Sequence, residues 1–83
     1  MSQKIGKVIH YYDKIGVAIV KLDEPLIVGT KVRFSRGGED LFDQTIESLQ
    51  EEHKNLESAK AGDEIGIKVD EKVKEGAEVF RVE

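Results

Sequence analysis

Cysteine and tryptophan are absent from this 83-residue chain, proline occurs once, and the aromatic residues are two tyrosines and three phenylalanines. Without cysteine, neither disulfides nor thiolate metal sites can brace a fold. A core must come from Ile, Val, Leu and the few aromatics, and at this length much of the surface stays wet, so such a core is only marginally stabilising. No apolar run approaches the ~20 residues that a membrane-spanning helix needs. Met1-Ser2-Gln3-Lys4 leads into a β-like segment with no apolar h-region, so neither a secretory signal nor membrane contact is expected, and a cytoplasmic setting fits. A basic excess is also missing: 13 Lys and Arg stand against 17 Asp and Glu, a net charge of −4, which argues against a general polyanion binder but leaves room for a local basic face.

What is present is 39% apolar and 36% charged, the balance of one small globular domain spanning residues 1–83, with no internal repeat or linker. Ile5 to Tyr12 is rich in β-branched and aromatic residues; alternation puts Gly6, Val8 and His10 on one face and Ile5, Lys7, Ile9 and Tyr11 on the other. Asp13-Lys14-Ile15-Gly16 reads as a turn into a second strand, Val17 to Leu22, whose Ala18, Val20 and Leu22 face inward and whose Val17, Ile19 and Lys21 face outward. Pro25 belongs to a connection or a sheet edge. Lys31 to Ser35 is a third strand with Val32 and Phe34 inward, followed by a flexible loop at Arg36-Gly37-Gly38-Glu39-Asp40. Near the C-terminus, Ile65, Ile67 and Val69 share one strand face, and a last strand covers Glu78 to Val82.

Residues 41–61 support two structures. Phe42, Ile46, Leu49, His53, Leu56 and Lys60 fall on one helical face, in a segment dominated by good helix formers, which gives a helix of about five turns. The alternative is a strand from Asp43 to Gln50, a polar reversal at Glu51 to Lys54, and a return strand from Asn55 to Ser58 anchored by Leu56. That reading requires tertiary pairing to override local propensity.

Four phrases in order bear on this choice: Gly6-Lys7-Val8; Ile27-Val28-Gly29-Thr30-Lys31-Val32; Ile46-Glu47-Ser48-Leu49-Gln50 followed by His53 and Leu56; and Ala59-Lys60-Ala61-Gly62-Asp63-Glu64-Ile65-Gly66-Ile67. Together they resemble the second domain of translational GTPases of the elongation factor Tu type, where the last phrase takes the form Ala-x-x-Gly-Asp-x-Val-Gly-Val. Similar domains also occur as accessory domains of enzymes, including some collagenase-like peptidases. The resemblance spans residues 4 to 82 and implies an all-β fold, a small antiparallel Greek-key barrel, closed or nearly closed, of about six to seven strands, with the contested middle as strand. Two departures stand out: there is no Gly-x-x-x-x-Gly-Lys-Ser/Thr phosphate loop, so GTPase chemistry is not implied, and Thr30 replaces the usual Asp of the early glycine turn.

Chemistry is sparse. His10 and His53 lack the companions that a zinc site requires, no serine sits in a nucleophile elbow, and the adjacent carboxylates read as solvated charge. The expectation is therefore a non-enzymatic binding module without cofactor or metal. The resemblance implies contact with tRNA or ribosomal RNA, for which Lys7, Tyr12, Arg33 and Arg36 are the candidate residues, through charge and base stacking. The alternative is a protein-interaction or scaffolding domain with no nucleic-acid role, binding a partner protein or a second copy of itself through exposed strand edges, or serving as an accessory subunit of a separately encoded enzyme.

Overall fold

The computed structural model describes residues 3–51 and 54–82. Among the described residues the fold is all β, with ten strands: β1 (Gln3–Tyr12), β2 (Val17–Leu22), β3 (Leu26–Ile27), β4 (Lys31–Arg36), β5 (Glu39–Thr45), β6 (Leu49–Glu51), β7 (Lys54–Leu56), β8 (Ser58–Ala59), β9 (Glu64–Lys68) and β10 (Glu78–Arg81). Eight of them form one antiparallel sheet in the order β5-β4-β10-β1-β2-β9-β6-β7, and β3 and β8 form a separate pair.

The β1–β2 hairpin turns at Gly16, which takes a φ of 67°, and Gly16 donates its N–H to the carbonyl of Tyr12. Simple alternation fails on β1, because the register shifts between Lys4 and Gly6 against β10 and between Val8 and His10 against β2. These bulges bury Ile5, Gly6 and Val8 and leave Ile9 exposed. Gly6 is required at the first bulge: a Cβ there would lie 2.8 Å from both the carbonyl oxygen of Lys21 and Cγ1 of Val20. Between β4 and β5 the expected flexible loop is instead a two-residue turn at Gly37-Gly38. Their consecutive φ values of 62° and 83° suit the tight reversal of a twisted hairpin.

Inward faces form one contiguous core that includes Ile5, Leu22, Phe34, Ile46, Leu49 and Ile67. Ala18, Val20, Val32, Ile65 and Val79 join it from the alternating positions of β2, β4, β9 and β10. Phe34 stacks on Phe42 of β5, with ring centroids 4.9 Å apart. The contested middle is strand rather than helix. Ile46 and Leu49 are fully buried, Leu49 pairs with both Leu56 and Ile67, and the Ile46 N–H bonds the carbonyl of Thr30. A rod over the same residues would advance only ~1.5 Å per residue, against ~3.3 Å for a strand. A rod would also bond its own backbone groups and leave β9 without the ladder that Leu49 and Gln50 supply.

The expectation of a closed or nearly closed Greek-key barrel of six to seven strands is corrected. The main sheet is open, with β5 at one end and β7 at the other, and no ladder joins those ends among the described residues. The physical reason lies in how the chain crosses the gap. Only Ile46-Glu47-Ser48 separate β5 from β6, so the main chain itself spans the opening and takes the place a ladder would occupy. Gln44, at the end of β5, completes the span with its side chain. Its Nε2 donates to the Lys68 carbonyl at 2.9 Å, and its Oε1 accepts from the Asp70 N–H at 2.9 Å.

Candidate interaction surface

The four residues expected to contact RNA fall on the outer face without forming a continuous basic surface. Lys7 is exposed on β1, in register with Lys21 on one side and Glu78 on the other, and Glu78 is in turn 3.2 Å from Lys4 Nζ. Arg33 on β4 directs its guanidinium at β5. Its Nε donates to Asp43 Oδ1 at 2.7 Å and its Nη2 to Asp43 Oδ2 at 3.1 Å, while Nη1 lies 3.8 Å from Asp40. This two-pronged geometry uses the fork that would otherwise grip a phosphate. The hydrogen bond from Arg33 holds the Asp43 carboxyl below the usual aspartate range; partial burial opposes the shift, and the charges of Arg33 and Lys31 reinforce it. The same hydrogen bond and charge raise Arg33.

Arg36 closes β4 beside the Gly37-Gly38 turn, at a shallow depression shared with Leu41, Lys72 and Lys74. Tyr12 stands at the far end of β1, its ring edge-on to His10 at a centroid distance of 4.3 Å. Arg33 and Arg36 thus share one strand, Lys7 lies two strands away across β10, and Tyr12 is five residues further along β1. His10 Nδ1 lies 3.1 Å from Glu75. No group of three or more His, Asp or Glu side chains converges as metal ligands among the described residues, and His53 lies outside them. Among those same residues no helix is long and apolar enough to cross a membrane.

A concavity of about 370 Å³ lies elsewhere, on the outer face of β2, β9 and β6. Its floor follows from register. Ile19 of β2 sits opposite Gly66 of β9, which sits opposite Gln50 of β6, so a residue without a side chain lies between two that have one. A Cβ at Gly66 would lie 3.2 Å from Val17 Cγ1 and 3.6 Å from Ile19 Cδ1, so the glycine keeps the trough open. Tyr12 and Ile15 form one end and are 47% and 64% exposed. Glu51 and Glu64 are the acidic residues among its described lining.

Sequence reasoning placed Val17 and Ile19 on the outer face but did not see a site in them. Two signals were available: β-branched residues in outward register where charge is usual, and an isoleucine in an otherwise polar turn. The contributions of Gln50, Glu51 and Gly66 depend on β6 lying against β9, a long-range pairing that no local pattern announces.

No family model matches the chain. It is 31% identical over 77 residues to a Methanocaldococcus jannaschii protein described as an uncharacterized protease, a match covering 93% of this chain and 19% of that protein. The chain therefore spans about a fifth of the length of that relative. Among solved structures it is similar to the C-terminal domain of a Geobacillus thermoleovorans protein assigned to the U32 peptidases. That match has a TM-score of 0.89 at 22% identity and covers 98% of this chain and 93% of the domain. The selenomethionine form of the same domain gives a TM-score of 0.85 at 23% identity, with coverage of 93% and 96%.

These findings correct two expectations. The translation-factor resemblance gives way to the fold of a peptidase domain, a match that covers 98% of this chain, whereas the four sequence phrases contain only two turn glycines, Gly29 and Gly62, and two strand glycines, Gly6 and Gly66. The expectation of a protein outside enzymes is also overturned, because the relative and both structural matches are named as proteases or peptidases. The fold is that of a U32 peptidase C-terminal domain.

Proposed function

We propose that this domain serves a peptidase as an accessory module that holds extended polypeptide on its outer sheet face. The observation that carries this reading is the trough over Gly66, to which Val17 and Ile19 bring apolar surface and whose end exposes Tyr12 and Ile15. Exposed large apolar side chains beside a concavity are a common feature of surfaces that bind protein, and an extended chain fits a trough that follows a strand. Support also comes from the peptidase names of the matched proteins. Protein is preferred to RNA as the partner because the guanidinium of Arg33 is engaged by Asp43 and Lys7 is neighboured by Glu78.

The test is a titration of the ¹⁵N-labelled chain with reduced, alkylated lysozyme at physiological salt, followed by amide chemical shifts. Shifts confined to Val17, Ile19, Gln50 and Gly66, and lost in the Tyr12→Ser, Ile15→Ser double variant, are expected. A titration that leaves these amides unmoved, or moves them equally in the double variant, refutes the reading.

A further inference from the structure

We infer that the trough over Gly66 receives an arginine or lysine side chain of the bound polypeptide, a deeper statement of the protein-binding reading above and dependent on it. Within the trough, Val17 and Ile19 offer apolar surface beside the bare backbone of Gly66 and the amide side chain of Gln50, and the charged residues among the described lining are Glu51 and Glu64. None of the ion pairs among the described residues uses either carboxylate. Lys21 stands opposite Glu64, Lys54 opposite Glu51 and Lys68 opposite Val17; none of the three is among the residues lining the trough, and none forms an ion pair with either carboxylate among the described residues.

Apolar surface from Val17 and Ile19, close to two acidic residues that are unpaired among the described residues, selects for a particular shape. The side chain must carry several methylenes to cover Val17 and Ile19 and end in a positive group that meets carboxylate. Arginine and lysine are built this way, with an apolar stem and a charged head that stays in water. The ring of Tyr12 at the trough end offers a second favourable surface to a cation. An acidic side chain would meet like charge, and a purely aliphatic one would cover the floor while leaving the carboxylates without a partner and partly stripped of water. The exposed Ile15 beside the trough offers contact to an apolar neighbour of the basic residue in the bound chain.

The experiment uses three peptides, acetyl-Ala-Ile-Ala-X-Ala-amide, with X as arginine, citrulline or glutamate. Citrulline has nearly the shape of arginine and no charge, so the pair isolates the electrostatic part of binding. Binding is read from the amide shifts of Ile19, Gln50 and Gly66 in the intact chain. Two exposed charge pairs predict that the arginine peptide binds about two- to thirtyfold more tightly than the citrulline peptide. The glutamate peptide should bind more weakly than either. The preference should shrink as salt rises, and it should vanish in the Glu51→Gln, Glu64→Gln double variant, whose surface substitutions leave the melting temperature in place.

Equal binding of the arginine and citrulline peptides, absence of binding by all three, or a preference that survives in the double variant would overturn the inference. The lysozyme titration separates this failure from failure of the underlying reading. If lysozyme still moves the trough amides while the peptides show no charge preference, protein binding stands and the basic-side-chain assignment falls. If lysozyme also leaves them unmoved, both fall.

Discussion

Removing the amide of Gln44 tests whether one side chain ties the open end of the sheet. Gln44 is 94% buried, being 6% exposed, and it serves the Lys68 carbonyl as donor and the Asp70 N–H as acceptor, each at 2.9 Å. Gln44→Met keeps the approximate length of the side chain and supplies neither partner. Two backbone groups then lose their hydrogen bonds in a partly buried setting, at a cost of ~1–1.5 kcal/mol each, toward the low end for an unsatisfied group. The sum is about 2–3 kcal/mol, which in a domain of this size lowers Tm by ~10–20 °C. Gln44→Glu separates hydrogen bonding from shape. Near neutral pH the carboxylate still accepts from Asp70 but faces the Lys68 carbonyl with a lone pair in place of an N–H. Burial raises the folded-state pKa of such a carboxyl above its unfolded value, so this variant gains stability relative to Gln44→Met as pH falls through that raised value and protonation restores a donor. Urea unfolding followed by far-UV circular dichroism measures all three proteins, and hydrogen exchange at the Asp70 amide reports the local bond. If Gln44→Met stays within about 0.5 kcal/mol of the native chain, the range of ordinary surface substitutions, the idea that this amide closes the sheet is wrong.

Three further predictions follow from the geometry. Phe34→Ala removes a fully buried ring stacked on Phe42 and should cost ~3–5 kcal/mol in urea unfolding; a loss well under one would mean the inner face of β4 is misassigned. Gly6→Ala places a methyl 2.8 Å from a backbone oxygen and a valine methyl at the first bulge of β1, so it should destabilise by ~1–3 kcal/mol, and an unchanged or raised Tm would count against the bulge as described. Asp43, whose folded pKa is depressed by Arg33, contributes stability that is present above the ordinary aspartate pKa and is lost as pH falls through the lower folded value. Asp43→Asn should therefore flatten that part of the acid limb of the stability profile, by a small amount because the pair is partly exposed, and parallel acid limbs in the two proteins would contradict the pairing.

The parts of this fold that were legible in the sequence are those set by nearest neighbours. Alternation on β2, β4 and β9 assigned Ala18, Val20, Val32, Phe34, Ile65 and Ile67 to the core, because a strand with one wet face must show its period. Alternation misled on β1, where two bulges bury Ile5 and Gly6 in succession, and a bulge leaves no local mark beyond a glycine. In residues 41–61, propensity pointed to helix, yet Leu49 acquires two strand partners, Leu56 and Ile67, which outweigh tenths of a kcal/mol of helix preference per residue. The sheet's failure to close could not be read at all. It depends on a three-residue crossing from β5 to β6 and on the reach of Gln44 to residues 24 and 26 positions away.

The proposed site was half visible for the same reason. Val17 and Ile19 could be placed on the outer face from the period of β2, but a trough needs two walls and a floor, and those come from three strands that are distant in sequence. This arrangement also makes surface and core separable. Along β9, Ile65 and Ile67 point into the core while Gly66 between them opens outward, so consecutive residues serve stability and recognition in turn. Substitutions at Ile15 and Tyr12 should then alter binding with little effect on unfolding, whereas Ile67→Ala should cost ~2–5 kcal/mol from beneath the same trough. Gly66 is the one position where the two roles meet. A methyl at Gly66 would press on Val17 and Ile19 rather than on the core, so Gly66→Ala should weaken binding more than it lowers Tm, and the opposite ranking would mean that the glycine serves packing and the trough is incidental.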